Sequence, residues 1–310
     1  MTNTRLGYEP LTVLVTGGAG FIGSHVAEAL VARGEDVVVL DDLSSGKREN
    51  LPEGVDFVEG DVREPQDELF AGVKPTVCYH LAAQIDVRVS VARPDHDAHI
   101  NVLGTVNILQ AALELGTQVV LSSTGGAIYG ECDRPASEDA PRRPIAPYGT
   151  SKLSGEEYLA TFNRLYGTRH VSLRYGNVYG PRLDPHGEAG VVAIFFNRLR
   201  EGDRPKIFGD GSATRDYVYV GDVMRATVAA GGHDGGVFNV GTGRGTSVVE
   251  LLEVCQRTAG TSIEAEFVER RPGELQRNLL DPARAVDELG WRPERSLEDG
   301  LRETWEWFAR

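Results

Sequence analysis

The most constraining feature of this sequence is a glycine-rich turn between a short apolar strand and a long helix. The pattern predicts a strand over Thr12–Thr16 and a helix over Phe21–Arg33, with Gly17, Gly20 and Gly23 in the connection and the first helical turn. Glycines at these positions allow backbone N–H groups and the helix N-terminus to approach an anion such as a pyrophosphate. The segment therefore predicts a dinucleotide-binding turn.

Acidic residues follow the second and third predicted strands. Asp41 and Asp42 come directly after the strand Val37–Leu40, about 20 residues beyond the turn. A carboxylate there can accept hydrogen bonds from an adenosine ribose and repel a 2′-phosphate, which favours NAD over NADP. Asp61 follows the strand Val55–Val58. It either reaches the adenine edge or caps a turn, and the sequence supports both readings equally.

The rest of the chain alternates short β-branched runs with amphipathic stretches. Further strands are predicted at Val77–Leu81, Val119–Ser122, His170–Arg174 and Val237–Val240, and further helices at Ala98–Leu115, Tyr148–Tyr166 and Val191–Arg200. This order is typical of an α/β fold with a doubly wound parallel sheet and helices on both faces. We expect residues 1–177 plus about 214–260 to form the dinucleotide-binding domain. Residues of about 178–213 plus 261–310 would form a smaller, discontinuous α/β substrate lobe, because Gly- and Pro-rich segments interrupt the pattern there.

Composition excludes several classes of function. The 310 residues include 32 Lys and Arg against 46 Asp and Glu, so a net charge of −14 provides no summed positive field to attract nucleic acid or an anionic membrane. No apolar run in the sequence approaches the ~20 residues of a membrane helix. The three cysteines are scattered without metal or disulfide spacing, and the polar N-terminal segment lacks a signal pattern. We therefore expect a cytoplasmic protein with no nucleic-acid or membrane partner and no metal site.

A second group of chemically useful residues lies where the helix Tyr148–Tyr166 begins and where the preceding strand ends. Tyr148 and Lys152 are four residues apart, which places both side chains on one helix face. A nearby ammonium stabilises a phenolate and brings the pKa of a tyrosine from about 10 toward the range of a general base. Thr124 lies at the edge of the sheet where ligands of open α/β folds bind. It either hydrogen-bonds a substrate oxygen or merely ends the strand.

Several ordered motifs extend over nearly the whole chain. They are, in order, His80–Gln84, Asn101, Ser123–Gly130, Arg174–Arg182 and Arg215–Tyr217. Together with the glycine-rich turn and the tyrosine–lysine pair, they resemble those of the extended short-chain dehydrogenase/reductases, and within these the UDP-glucose (UDP-galactose) 4-epimerase family. The resemblance implies a Rossmann fold, tightly bound NAD, a UDP-sugar substrate and a homodimer.

The resemblance also implies roles for individual residues. Tyr148 would be the acid/base, Lys152 would lower the pKa of Tyr148 and bind the nicotinamide ribose, and a hydroxyl would polarise the sugar 4-oxygen. Either Ser123 or Thr124 can occupy that hydroxyl position, because the stretch is one residue longer than in many epimerases; we favour Thr124. The implied NAD contacts are Gly17, Gly20, Phe21, Ile22, Gly23, Asp41, Asp42, Asp61, Val62, Leu81, Ala82, Ala83, Asn101, Ser122, Tyr148, Lys152 and Tyr175.

For the UDP-sugar, the resemblance assigns the diphosphate to Asn177, Arg215 and Arg271. Glu274 would lie near the uridine ribose, and uracil would contact the segment that contains Ile207 and Phe208. The other implied substrate contacts are Gln84, Val192, Thr124 and Tyr148. Two arginines from distant parts of the chain would supply the local cationic pocket that an acidic protein needs for a pyrophosphate.

The chain departs from the dehydratases and decarboxylases of this superfamily, in which a carboxylate directly follows the catalytic hydroxyl residue. Here Gly125 and Gly126 supply no acid. This favours oxidation at C4 followed by reduction on the opposite face, which is 4-epimerisation of UDP-glucose and UDP-galactose. A one-way NAD(P)H ketoreductase is a less favoured alternative, because it would not need the diphosphate-binding residues.

The choice of sugar and the dimer contact follow less directly. Asp184 would repel a uronate, although Arg88 or Arg198 could compensate, so UDP-glucuronate stays an alternative substrate. Asn278 would lie beside the sugar, and its intermediate size leaves UDP-N-acetylhexosamine open as well.

The resemblance places the helices Ala98–Leu115 and Tyr148–Tyr166 at a two-fold dimer interface, which their apolar spacing permits.

Overall fold

The protein is described by a computed structural model over residues 10–184, 190–270 and 275–310. Its strands are β1 (Thr12–Thr16), β2 (Asp36–Asp41), β3 (Asp56–Glu59), β4 (Val77–His80), β5 (Gln118–Thr124), β6 (Val171–Tyr175), β7 (Asn177–Tyr179), β8 (Lys206–Phe208), β9 (Thr214–Tyr219), β10 (Gly236–Val240), β11 (Gly245–Ser247), β12 (Glu266–Val268) and β13 (Arg277–Asn278). Its α-helices are α1 (Phe21–Arg33), α2 (Asp67–Val73), α3 (Val87–Ala92), α4 (Pro94–Ala98), α5 (Gly104–Leu115), α6 (Gly125–Ile128), α7 (Pro147–Tyr166), α8 (Val191–Glu201), α9 (Val220–Ala230), α10 (Val248–Ala259), α11 (Ala283–Glu288) and α12 (Leu297–Phe308).

Seven parallel strands form the central sheet in the order β10-β6-β5-β4-β1-β2-β3. The alternation of side chains along β1 explains why both faces are covered: Val13 and Val15 pack into one apolar cluster, and Leu14 packs into the cluster on the other face. This confirms the predicted doubly wound fold. The chain order reverses between β1 and β4, and ligands of such sheets bind outside the carboxyl ends of the strands at this point.

The long helix predicted over Ala98–Leu115 is interrupted in the structure. It consists of α4, a π-helical turn over His99–Leu103, and α5. Asn101 in the π-turn is buried, and its side-chain amide donates to the Gln84 backbone oxygen (2.9 Å) and to Ser151 Oγ (3.1 Å). Irregular turns of this kind occur often at functional sites. The period of the sequence cannot show such a break, because its cause is contact with residues far along the chain.

Helices α1, α5 and α7 end where the sequence predicts. Gly34, Gly116 and Gly167 follow them in the left-handed conformation, with φ of 87°, 70° and 67°, and their N–H groups bond to carbonyls of the last helical turn. This is the ordinary way a helix ends, since glycine has no Cβ to oppose a positive φ. Among the described residues, no helix is long and apolar enough to cross a membrane.

A second apolar cluster lies outside the central sheet, and we call the elements around it, including α8, β8, α10 and α12, the smaller lobe. There β9 pairs with β7, β11 and β13, while β12 pairs with β8. Helix α10 contributes Leu251 and Cys255 to this cluster, together with Phe196 of α8 and Leu301 of α12. The packing therefore does not follow the boundary we expected near residue 260, because α10 packs with the smaller lobe. Trp291 packs with the central sheet instead, and the division into two domains stays a prediction.

Candidate active site

The glycine-rich turn joins β1 to α1 at the reversal point of the sheet, as the sequence predicts. Gly17 has a φ of 68°, and a Cβ added to it would lie 2.6 Å from the backbone nitrogen of Ala82. A Cβ on Gly23 would lie 2.1 Å from the Gly17 carbonyl oxygen. Only glycine permits this close approach of helix and turn. The N–H groups of Gly17, Ala19 and Gly20 are bonded within the protein, so it is the N-terminus of α1 that fits the pyrophosphate of a dinucleotide.

Asp41 and Asp42 lie beside this turn but have different surroundings. The buried Asp41 carboxylate accepts hydrogen bonds from the N–H groups of Ala19 and Leu43, both at 2.9 Å, and burial raises its pKa. It therefore supports the turn directly. The exposed Asp42 carboxylate accepts from the N–H and hydroxyl of Ser44. Both acids lie at the edge where a ribose would sit, and their contact with it stays a prediction.

For Asp61, the structure places the side chain in a local turn. Its carboxylate accepts from the Arg63 N–H at 2.8 Å and from the Arg63 guanidinium, which lowers the Asp61 pKa. This is the turn-capping role, one of the two readings of the sequence. Val62 is buried and fills the space above Gly104, where a Cβ would come within 2.8 Å of its methyl group.

The segment Leu81–Ala83 after β4 is held by a buried histidine. His80 Nδ1 lies 2.7 Å from Thr16 Oγ1, and His80 Nε2 lies 3.2 Å from Thr105 Oγ1. The Thr16 hydroxyl also accepts from the Ala82 N–H at 3.2 Å. Burial lowers the pKa of His80 to about 3, so the ring is neutral over the working range of the protein. Its role here is to fix the loop beneath the glycine-rich turn.

Ser122, Ser123 and Thr124 are all buried at the carboxyl end of β5. Thr124 Oγ1 and Asn177 Oδ1 lie 3.6 and 3.7 Å from the position that a Cβ on Gly126 would occupy, so they converge on one small region. Ser123 lies on the opposite side of the strand from its two neighbours, because side chains alternate along a strand. Of the two hydroxyls, Thr124 is therefore the one that the structure brings near Asn177.

Tyr148 and Lys152 occupy successive turns at the start of α7. Pro147 is the first residue of this helix, where a missing N–H costs nothing. Tyr148 is half-buried, whereas Lys152 is only 5% exposed. Burial lowers the pKa of Lys152 to about 8, and the negative charges of Glu156 and Asp97 oppose this shift. An ammonium with so little water around it acts strongly on a neighbouring phenol.

Gln84 and Asn101 are engaged with other protein groups. Gln84 Nε2 donates to the Asp97 carboxylate at 2.8 Å, and the Gln84 N–H donates to Asn101 Oδ1 at 2.9 Å. These contacts connect the loop after β4 to the π-turn and to Ser151 of α7. Both residues therefore position the walls of the site, and their contacts with cofactor or sugar stay predictions.

The remaining predicted contacts are distributed around the cleft. The Tyr175 hydroxyl bonds to Thr227 Oγ1 of α9 at 2.8 Å. Val192 and Ile207 are buried in the smaller lobe, with the half-buried Phe208 beside Ile207 on β8. Arg215 is half-buried on β9. The half-buried Phe21 and Ile22 begin α1. Arg271 and Glu274 lie outside the described residues.

Three buried charged residues near Lys152 were not found by sequence reasoning. They are Asp97, Glu156 and Arg174, each at most 3% exposed. Glu156 follows Lys152 by four residues on α7, so helical spacing alone would have placed it beside the lysine. Asp97 and Arg174 carry no comparable local signal, because their elements meet α7 only in the folded chain.

Comparison with known proteins agrees with this geometry. Residues 13–241 match the model of the NAD dependent epimerase/dehydratase family. The chain is 48% identical over 308 residues to the UDP-glucose 4-epimerase of Mycolicibacterium smegmatis, with 96% of this chain and 98% of the relative covered. It is 38% identical over 312 residues to the UDP-glucose 4-epimerase of Azospirillum brasilense, with coverage of 93% and 89%.

Solved structures give the same result. The UDP-glucose 4-epimerase of Thermotoga maritima, solved with UDP-glucose, superimposes with a TM-score of 0.94 at 46% identity, over 96% of this chain and 98% of that one. The UDP-glucose 4-epimerase of Thermus thermophilus, solved with NAD, gives a TM-score of 0.92 at 47% identity with the same coverage. From the fold, the site and these matches together, we conclude that the chain belongs to the NAD dependent epimerase/dehydratase family.

Proposed function

We propose that this protein is a 4-epimerase that interconverts UDP-glucose and UDP-galactose with bound NAD. The observation that carries the proposal is the arrangement at the ends of β5 and α7. Thr124 lies near the reversal point, Tyr148 and Lys152 occupy one face of α7, and the two residues after Thr124 are glycines. The site thus holds a base and a hydroxyl donor but no carboxylate at the position where dehydration requires one.

In the proposed reaction, Tyr148 as phenolate takes the proton of the sugar 4-hydroxyl. Lys152 stabilises the phenolate by its charge, and the Thr124 hydroxyl donates a hydrogen bond to the 4-oxygen. Bound NAD would supply the hydride acceptor and donor for C4, so the overall reaction would involve no net oxidation. The 4-keto sugar then rotates in the site, so that the opposite face of C4 is presented for reduction. Tyr148 gives the proton back to the 4-oxygen. Each proton and each pair of electrons removed from the sugar is therefore restored.

The charges around the cleft support a neutral hexose as substrate. Arg88, a candidate partner for a uronate, forms a salt bridge with Asp86 at 3.0 Å. Arg198 pairs with Asp203 at 2.7 Å. Both guanidiniums already pair with carboxylates of their own segments, so a sugar carboxylate would have to compete with these exposed ion pairs.

The test uses the protein as purified, with no cofactor added. UDP-glucose, UDP-N-acetylglucosamine and UDP-glucuronate are incubated with it separately, and proton NMR follows their anomeric signals. We expect the 4-epimer signal to appear with UDP-glucose and to grow until equilibrium. A product only with one of the other two sugars would replace the hexose assignment. Silence in all three samples, also after NAD⁺ is added, would reject the 4-epimerase reading.

We also propose that the protein is a homodimer that pairs through α5 and α7 of each copy. Apolar side chains on these elements and the preceding π-turn are exposed, namely Leu103, Leu115, Leu165 and Tyr166. A cavity of about 480 Å³ lined in part by Pro94, Val102 and Ile145 lies at the start of α7. Exposed apolar side chains grouped on neighbouring elements are a feature of interaction sites.

Light scattering is expected to give twice the chain mass of 33.6 kDa. Replacing Leu165 by arginine should shift the mass toward that of one chain, because burying an unpaired charge at an apolar interface is unfavourable. The same change at Phe267, an exposed apolar residue of the smaller lobe, is the control and should leave the mass unchanged. A single-chain mass for the parent protein would contradict the proposal.

We propose that the protein is located in the cytoplasm. Cys78, Cys132 and Cys255 are free and buried, as expected for a protein kept in a reducing environment. Burial raises the pKa of the Cys132 thiol, which makes it less reactive. Fractionation of the source cells would test this placement, and recovery of the protein outside the cytoplasm would contradict it.

A further inference from the structure

Four buried charged side chains form one cluster behind Tyr148. Lys152 and Arg174 carry positive charges, while Asp97 and Glu156 carry negative charges, and each of the four is at most 5% exposed. They come from three elements: α4 supplies Asp97, β6 supplies Arg174, and α7 supplies the other two. Buried charges are unfavourable unless they are compensated, so the pairing within this cluster decides which groups stay charged.

Glu156 forms a buried salt bridge with Arg174. Its two carboxylate oxygens accept from Arg174 Nε at 3.0 and 3.1 Å and from Arg174 Nη2 at 2.6 Å. Arg174 Nη1 also donates to the Tyr129 hydroxyl at 2.7 Å. A guanidinium that binds both oxygens of one carboxylate takes up most of its negative charge. Glu156 alone therefore leaves Lys152 only partly compensated.

The carboxylate of Asp97 has different hydrogen-bond partners from that of Glu156. Its Oδ1 accepts from Gln84 Nε2 at 2.8 Å and from Asn101 Nδ2 at 3.2 Å, both neutral donors. Its Oδ2 is buried without a hydrogen-bond partner among the residues that the structure describes. Asn101 also donates to Ser151 Oγ at 3.1 Å, which ties Asp97 to the residue next to Lys152. Asp97 is thus a buried carboxylate connected through Asn101 to the neighbour of Lys152, and among the described residues no arginine takes up its charge.

We propose that Asp97 is a positioning residue that keeps Lys152 protonated, and that through Lys152 it keeps Tyr148 able to act as the base. The part that concerns catalysis rests on the proposed epimerase function. The part that concerns Lys152 does not, because it follows from the charges of the buried cluster alone. No other residue is needed to transmit the effect, since Asp97 acts on Lys152 by its electric field.

The charges that face Lys152 support this assignment. On its own helix Glu156 acts on it, with Arg174 of β6 bound to Glu156; His80 of β4 and Asp97 of α4 are the other groups whose electrostatics couple to it. His80 stays neutral, because burial and the charge of Lys152 lower its pKa to about 3. Burial lowers the pKa of Lys152, and the charge of Glu156 and then that of Asp97 raise it again.

The first test measures Lys152 directly by NMR in protein labelled with ¹³C at the lysine ε-carbon. The chain has only four lysines, and Lys47, Lys74 and Lys206 are exposed, so the signal missing from a Lys152→Met protein identifies Lys152. In an Asp97→Asn protein we expect the Lys152 pKa to fall by about one to two units. Asparagine keeps the shape and can still accept the two hydrogen bonds at Oδ1.

Two further variants complete this test. Asp95→Asn removes an exposed carboxylate of the same helix, which pairs with Arg93, and should leave the Lys152 titration unchanged. Asp97→Glu keeps the charge and should restore most of the parent value. If Asp97→Asn does not fold, Asp97→Ser serves instead, because serine leaves room for a water molecule. The same fall in the Lys152 pKa is expected in this variant. An unchanged Lys152 titration in the folded charge-removing variant would overturn the proposal.

The second test uses the pH profile of epimerisation. Removing the charge at Asp97 should shift the alkaline limb of the kcat–pH profile to lower pH. The size of this shift should equal the fall in the Lys152 pKa, and the KM for UDP-glucose should stay unchanged. A purely structural role would lower kcat equally at every pH and would contradict the proposal. If the parent protein epimerises no sugar, the proposed function fails, while the NMR titration still decides the role of Asp97.

Discussion

Replacing Tyr148 by phenylalanine is expected to lower kcat for UDP-glucose by about 10²–10⁴-fold, because the change removes the proposed proton acceptor. The phenyl ring keeps the size of the side chain at the start of α7. The KM for UDP-glucose and the amount of retained NAD should therefore stay close to those of the parent. The measurement is the initial rate from the anomeric NMR signals, with NAD determined after release from the denatured protein.

Tyr158 provides a matched control on the same helix. It lies on α7 but is 45% exposed, so Tyr158→Phe should leave kcat unchanged. A Tyr148→Phe protein with full turnover would refute the proposed mechanism. A protein that lost both turnover and NAD would instead indicate that Tyr148 mainly holds the cofactor, and the two outcomes are separated by the NAD content.

Replacing Arg174 by methionine is expected to lower the free energy of unfolding by about 3–5 kcal/mol, because Glu156 then stays buried without the guanidinium that binds both of its oxygens. In the parent protein both side chains are at most 3% exposed and share three hydrogen bonds. Methionine fills similar space without donors. Urea unfolding followed by circular dichroism measures the difference in the free energy of unfolding. The m-value, which is the slope of that free energy against urea concentration, should be unchanged.

The double variant Arg174→Met with Glu156→Leu should recover most of this loss. Removing both charges takes out this ion pair as a unit and leaves Lys152 with Asp97, and apolar replacements of a buried pair are often neutral. Arg169→Met is the control for loss of an arginine at the surface. It breaks an ion pair with Asp234 in which both side chains are more than half exposed, and it should cost no more than about 1 kcal/mol. Equal losses in Arg174→Met and Arg169→Met would contradict the argument.

The sequence by itself determined the features that depend on short spacing. The turn with Gly17, Gly20 and Gly23 was recognisable because strand, glycines and helix follow one another directly, and the helix ends were marked by single glycines. The Tyr148–Lys152 pair was visible because four residues on a helix always share a face. The parallel sheet followed from the alternation of apolar runs. In each case the physical cause acts within a few residues of the chain.

Only the tertiary structure decided which groups meet across elements. It placed Thr124, not Ser123, near Asn177, and it interrupted the predicted helix with a π-turn so that Asn101 reaches Ser151. It also packed Leu251 and Cys255 of α10 with Phe196 of α8 and Leu301 of α12, a contact between distant elements. Most important for the chemistry, it buried Asp97 beside a lysine from a distant helix. Burial and charge pairing arise from contacts between residues far apart in the chain, and no local pattern of residue types records them.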